Sequence, residues 1–541
     1  MLAKLSARPT ARRCAITSAA GLALLGAGLP AASSDGSAPD LSRFYRQKVT
    51  WVKCEGAEMP PDLQCGKVVV PLDYAKPRGP ALDLALARYR ATGKSRGSVL
   101  LNFGGPGGAG VAGLAAGGKD FMGLAKDYDV VSFDPRGVGR SSPVSCGDGT
   151  EQAVLVTDGD RDVTGDPRTV LQQVREVAAT CAKHSGPVLP YIGTVNASRD
   201  LDVMRQALGD KKLNYLGFSY GTRLGAVYAA QFPEKVGRLV LDGVDTLTEP
   251  LSDQGVAGAE GQQRALEDFV DWCVKDIACP FGTDARSARE EVVRSVASLD
   301  ENPVPTDFGR DFTGQDLVGA IGQALYSEEL WPSLERALAS LVEDGDTRAL
   351  LALSGGGSGS RASDSWASGS RASGSRPGGR ADGGLVDQED VPLDNLPAAL
   401  MAINCADDPD RPGAERITRD LGRLRTAYEE ASPVFGRYRL TEYLMCFGRP
   451  KGTDFIREEV RDVATPKMLL VGTRGDPATP YRWTVETAER LGDSAVVLDN
   501  KGEGHTGYAS STCVHRTVDA FLLYGSLPPD GSSCGPEGDR D

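Results

Sequence analysis

The chain has 541 residues, 40% of them hydrophobic and 25% charged, enough core for two to four domains or one large domain with an insertion. Its formal net charge is −14, so it lacks the excess of cations that binds phosphate backbones or anionic lipid surfaces, and no nucleic-acid partner is expected. There are three histidines (His184, His505 and His515) and neither an H-E-x-x-H pattern nor a Cys/His zinc spacing, so no metal or other cofactor is expected.

The chain opens on a leader. Residues 1–13 carry Lys4, Arg8, Arg12 and Arg13 and no acid; Cys14 to Leu29 is apolar; Pro30-Ala31-Ala32-Ser33 supplies small residues for cleavage. That order predicts a secretory signal over residues 1–33 and an extracellular protein. Cell-wall association, and the choice between general and twin-arginine export, stay open. The apolar run is shorter than a membrane span, so no stable membrane insertion is expected. Cys14 falls in the leader. The ten remaining cysteines, an even number in an exported chain, predict five disulfides between sequence neighbours: 54–65, 146–181, 273–279, 405–446 and 513–534.

Six short apolar runs bounded by turn residues predict strands. They are Ser98–Phe103, Asp129–Phe133, Leu213–Phe218, Arg238–Leu241, Lys467–Val471 and Ala495–Leu498. Near-continuous apolar strands belong to a parallel sheet covered on both faces. Helical patterns lie between them, at Asp200–Leu208 and Thr222–Phe232 among others. The alternation predicts an α/β class with a mostly parallel, doubly wound sheet. It stops after Val244. Residues 246–450 read as a large, mainly helical cap inserted between two parts of the core, 34–245 and 451–541. Within the cap, residues 354–384 are a Gly/Ser/Arg loop too poor in apolar residues to order itself.

The chemistry centres on Gly217-Phe218-Ser219-Tyr220-Gly221, a G-x-S-x-G that follows a predicted strand and opens a small-residue helix. In that setting the motif is a nucleophile elbow: a tight turn projects the Ser219 hydroxyl above the sheet at a helix N-terminus. A base and an acid must follow in the order Ser, Asp, His. His505 lies in Gly502-Glu503-Gly504-His505-Thr506-Gly507 after the last strand, where glycines on both sides let a loop present the imidazole; His184 precedes the serine, and His515 reads as a surface helix residue. Asp476 lies in the Gly/Pro-shaped loop after Lys467–Val471 and is placed to bond the other ring nitrogen. The oxyanion donors are predicted as the N–H of Tyr220 and one N–H of the loop Gly104–Gly110, assigned to Gly105. A phosphate loop is excluded because the Lys-Ser/Thr ending is missing.

These residues bring out a resemblance that covers nearly all of the chain after the leader. Asn102–Gly110 is similar to an N-P-G-G-P-G-G-S-G loop, with Phe103 in place of Pro and Ala109 in place of Ser. Asp134-Pro135-Arg136-Gly137-Val138-Gly139-Arg140-Ser141 matches D-P-R-G-x-G-x-S, and Trp51–Tyr74 and Leu213–Gly217 fit as well. Together and in order they resemble the tripeptidyl aminopeptidase branch of the α/β-hydrolase exopeptidases, related to prolyl iminopeptidases. The resemblance implies an α/β-hydrolase fold and release of short peptides, usually tripeptides, from free N-termini of extracellular polypeptides. It also implies carboxylates in the cap that hold the substrate ammonium. Glu249, Asp253, Glu260 and Asp268 are candidates, each more readily read as a solvated helix acid, so the amine site stays unassigned. Asp134 and Arg136 read as turn-shaping.

Two other functions compete. The same triad serves an esterase or amidase acting on small molecules. A non-catalytic binding protein would lack a triad member, and none is missing. Oligomeric state and the residue preferred at the cut leave no mark in the sequence.

Overall fold

A ten-stranded sheet forms the middle layer of the protein, in the order β1-β2-β3-β5-β4-β6-β7-β10-β11-β12. Its strands are β1 (Val52–Lys53), β2 (Gln64–Pro71), β3 (Ala81–Tyr89), β4 (Ser98–Asn102), β5 (Asp129–Phe133), β6 (Leu213–Phe218), β7 (Val236–Asp242), β10 (Met468–Gly475), β11 (Ala495–Glu503) and β12 (Ser532–Cys534). The remaining pair, β8 (Val304–Pro305) and β9 (Asp311–Phe312), forms a small hairpin elsewhere. This computed structural model describes residues 39–56, 59–147, 167–307, 309–354 and 384–535. The leader expected at 1–33 and nearly all of the Gly/Ser/Arg loop expected at 354–384 lie outside the described residues.

From β4 to β12 every pairing with β5, β6, β7, β10 and β11 is parallel. Strand residues alternate between two buried apolar layers. Leu100, Val131, Tyr215, Leu241 and Leu470 face one layer, completed by α3 (Thr194–Leu208), α4 (Tyr220–Gln231) and α12 (Tyr481–Leu491). Val99, Val130, Leu216, Val240 and Leu469 face the other, completed by α1 (Gly110–Gly117) and α13 (Thr512–Tyr524). Both faces are therefore covered, which is why these strands carry apolar residues at successive positions. All six predicted strands are present, within a few residues of their expected bounds. The sequence reading did not place the antiparallel β1-β2-β3 edge, where β3 alternates partly exposed and buried positions along much of its length.

Helix α2 (Pro167–His184) precedes α3. The segment between β7 and β10 is mainly helical: α5 (Leu251–Cys273), α6 (Ala285–Glu301), α7 (Gly314–Ala324), α8 (Trp331–Asp344), α9 (Asn395–Asp407), α10 (Ala414–Ala431) and α11 (Gly436–Leu444). It has its own apolar cluster, with Phe269, Ile321, Trp331, Leu334 and Phe435 buried. Among the described residues there, the β8–β9 hairpin is the one pair of strands, in keeping with a mainly helical expectation. Five disulfides join Cys54 to Cys65, Cys146 to Cys181, Cys273 to Cys279, Cys405 to Cys446 and Cys513 to Cys534, the five neighbour pairs expected. No described helix is long and apolar enough to cross a membrane.

Candidate active site

Ser219 sits between β6 and α4 with φ 55° and ψ −127°, a left-handed conformation that a serine adopts only under constraint. The flanking glycines explain how the turn closes. A Cβ on Gly217 would meet the Gly221 oxygen at 2.5 Å, and one on Gly221 would meet the Asn102 oxygen at 2.8 Å. Ser219 N–H donates to the Asp242 oxygen at 2.9 Å, and Thr222 caps the Ser219 oxygen from its own N–H and hydroxyl.

Asp476 follows β10 and is buried. His505 Nδ1 stands 2.9 Å from both of its carboxylate oxygens. The N–H groups of Ala478 and Thr479 donate to Asp476 Oδ1 at 2.8 Å each, and the Thr479 hydroxyl donates to Oδ2 at 2.9 Å. Burial by itself pushes the Asp476 carboxyl up; the imidazole and these N–H donors outweigh it and hold its pKa below the ordinary value. Burial by itself pushes the His505 imidazole down; the charges of Asp476, Asp242 and Asp245 outweigh it and hold its pKa above 6.5. With Nδ1 committed to Asp476, Nε2 is the nitrogen free to accept a proton.

The glycine loop after β4 lies against the elbow. A Cβ on Gly104 would stand 2.5 Å from the Phe218 oxygen and 2.9 Å from Ser219 Cβ. Gly104 N–H donates to Asn102 Oδ1 and Gly108 N–H to the Gly104 oxygen. Among the described residues, the Gly105 N–H meets no protein acceptor. Tyr220 opens α4, so no preceding turn offers its N–H a partner. Both predicted oxyanion donors thus lack a protein acceptor among the described residues; Tyr220 follows Ser219 directly, and Gly105 follows Gly104, which packs on the elbow. Phe103, the replacement for Pro, stacks on Phe218 with ring centroids 6.1 Å apart.

Sequence comparison agrees with this geometry. The TAP-like protein family matches residues 432–534, and the alpha/beta hydrolase fold family matches residues 99–321. Serine protease Hip1 of Mycobacterium tuberculosis (strain ATCC 25618 / H37Rv) is 32% identical over 90% of this chain and 91% of its own. Tripeptidyl aminopeptidase of Streptomyces coelicolor (strain ATCC BAA-471 / A3(2) / M145) is 31% identical over 93% of this chain and 88% of its own. The chain belongs to the tripeptidyl aminopeptidase-like branch of the α/β-hydrolases. It is a serine hydrolase, and these two relatives support a serine peptidase. Carboxylesterase B of Mycobacterium tuberculosis (strain ATCC 25618 / H37Rv) is 31% identical over 87% of this chain and 86% of its own.

The hydrolase's helical insertion leans on the His505 loop. His505 N–H donates to the Tyr326 oxygen at 2.9 Å, and the two rings meet edge to face at 5.1 Å. A Cβ on Gly261 of α5 would touch the Asp476 and Pro477 oxygens at 3.3–3.4 Å. Arg439 bonds Gln262 at 3.0 Å and pairs with Glu442 at 3.1 Å, and both charges reach the Tyr326 phenol. Sequence reasoning found none of Tyr326, Gly261, Gln262, Arg439 and Glu442, because each depends on how the insertion docks.

The four acids named as amine-site candidates do not act as a group. Glu249 is committed to Arg482 and to the Trp483 indole N–H at 2.8 Å. Asp253 accepts from Ser252, and Glu260 is exposed. Asp268 lines a cavity of about 380 Å³ with Arg264, Arg474 and Glu503. Burial, then the charges of Asp268 and Glu328, push Glu503 up to about 7. His515 is half-buried rather than a bare surface residue: it stacks on Tyr508 at 4.2 Å and lies 3.6 Å from Asp519. Arg136 is fully buried on Asp200, at 2.6 Å through two nitrogens, and Asp134 accepts from Val111 and Arg140 N–H. Both hold structure, as expected.

Proposed function

We propose that this chain is an exported serine exopeptidase that releases short peptides, tripeptides in the first instance, from free N-termini of polypeptides. Residues 1–33 are its leader, 34–245 and 451–541 its hydrolase core, and 246–450 the cap that encloses the substrate. Five disulfides suit an oxidising compartment. Ser219 Oγ attacks the scissile carbonyl while His505 Nε2 takes its proton. Asp476 accepts the Nδ1–H bond and stabilises the imidazolium. Gly105 and Tyr220 N–H groups hold the oxyanion. The imidazolium protonates the leaving amine, and a water activated by His505 then frees the acyl-peptide. The observation that carries this reading is the bonded Asp476–His505 pair at the sheet end that also bears the strained Ser219 elbow.

The requirement for a free amine rests on the similarity to the Streptomyces tripeptidyl aminopeptidase. The carboxylesterase relative supports a second reading, ester hydrolysis by the same three residues. One comparison separates them: a free-amine Ala-Pro-Ala anilide, its N-acetylated twin and a short acyl ester, each with Ser219→Ala as control. Release from the first alone, abolished in the variant, is expected. Activity on the ester alone would sink the peptidase reading.

A further inference from the structure

Asp242 ends β7 and is fully buried, and the mechanism above gives it no step. Its carboxylate faces the loop that carries His505. Gly507 N–H lies 2.9 Å from Oδ1 and 3.1 Å from Oδ2, and Tyr508 N–H donates to Oδ2 at 2.8 Å. Its main-chain oxygen accepts the Ser219 N–H at 2.9 Å. The next residue, Gly243, donates its N–H to Val471, on the strand that leads to Asp476, at 3.0 Å. Gly243 has φ +68°, and a Cβ there would stand 3.0 Å from Thr506 Cγ2, 3.2 Å from Thr479 Oγ1 and 3.4 Å from His505 Cε1. Two consecutive residues therefore touch all three loops that carry the proposed triad.

A buried carboxylate is costly unless its oxygens are bonded. Burial pushes Asp242 up to about 6, against the pull of the Gly507 and Tyr508 N–H groups. An apolar residue at this strand end would fill the core without that cost, but it would leave two backbone donors behind His505 unpaired. The chain bears the cost where the His505 loop turns back into the fold.

We propose that Asp242 is the positioning residue of the histidine loop: its carboxylate holds His505 in register with Ser219, whose own N–H is fixed by the same residue. This rests on the triad reading above. The charged groups that share its surroundings are His505, Asp476 and Asp245, with Asp519 reached through the Tyr508 hydroxyl.

Asp242→Asn keeps the shape but turns one acceptor into a donor. Active sites are counted with a fluorophosphonate, and kcat and KM are measured on the tripeptide anilide from pH 4.5 to 9. The expected result is a full count of sites, kcat lower by about 10²-fold because a base displaced by about 1 Å is that costly, and little change in KM. The acid limb of kcat/KM also moves to lower pH, because loss of a neighbouring negative charge lowers the His505 pKa. A kcat per titrated site and an acid limb both equal to wild type would overturn the proposal, whether the site count is full or reduced. Should the variant not fold, wild type supplies a second readout. Hydrogen exchange across residues 503–510, corrected for intrinsic rate, should lose protection several-fold between pH 8 and pH 5 as Asp242 is neutralised; equal protection would overturn the proposal. Activity retained in Ser219→Ala would instead remove the triad reading, whatever Asp242 does.

Discussion

Gly104→Ala tests the oxyanion loop, and its size can be worked from the structure. Gly104 has φ +87°, and the new methyl would stand 2.5 Å from the Phe218 oxygen, a backbone atom that cannot swing away. Ordinary contact begins near 3.4 Å, so the loop and the elbow must part by about 0.9 Å. That displacement carries the neighbouring Gly105 N–H away from the oxyanion position. Loss of one such donor costs about 10²–10³ in kcat, or roughly 3–4 kcal/mol of transition-state stabilisation. The left-handed φ adds about 1–2 kcal/mol to the folding cost. Gly209→Ala separates the two effects. Gly209 ends α3 with φ +90° and has nothing within 4 Å of its added methyl. It should lose similar stability in a urea melt and keep its kcat. Both variants are assayed on the tripeptide anilide, with kcat expressed per titrated site. A Gly104→Ala kcat within threefold of wild type, or an equal kcat loss in Gly209→Ala, would refute the assignment of Gly105.

Three further outcomes are expected. Asp476→Asn should lower kcat by about 10⁴-fold with little change in KM, because an amide facing His505 Nδ1 stabilises the wrong tautomer; burst kinetics on the anilide would read it. The His505 pKa is held above 6.5, and only the neutral imidazole acts as base, so kcat/KM should reach half its plateau above pH 6.5 and fall as pH drops through that value. A half-point below 6.5 would contradict the Asp476 pairing. Arg136→Met strands Asp200, which is buried with it, and should cost about 3–5 kcal/mol in urea denaturation, while Arg136→Met with Asp200→Leu should recover part of that loss.

The parts of the protein legible in the sequence are those governed by short-range constraints. The parallel strands show as apolar runs because both faces are covered. The elbow shows because Gly217 and Gly221 are forced by contacts within a few residues of Ser219 and with β4. Asp476 and His505 show because each follows a recognisable strand. The amine site could not be assigned for the opposite reason. Glu249 stands near the start of the insertion, but its partners Arg482 and Trp483 lie 233 and 234 residues further on. Asp242 drew no notice in the sequence, because its partners Gly507 and Tyr508 are 265 and 266 residues away.

Contacts of equally long range couple the mainly helical insertion to the elbow at Ser219. Tyr220, whose N–H is the proposed oxyanion donor, places its hydroxyl 2.5 Å from Thr194. Thr194 N–H donates at 2.8 Å to Asp407, at the end of α9 in the insertion. Arg223, one turn along α4, pairs with Asp245 at 2.9 Å and lies 3.7 Å from Asp407. Removing any one of these buried groups leaves the others uncompensated, so the network tolerates few arrangements. Apolar packing could seat the insertion in several neighbouring positions at similar energy. A buried charge cluster that closes on the elbow helix narrows those positions, and so ties the insertion to the helix that begins just after Ser219.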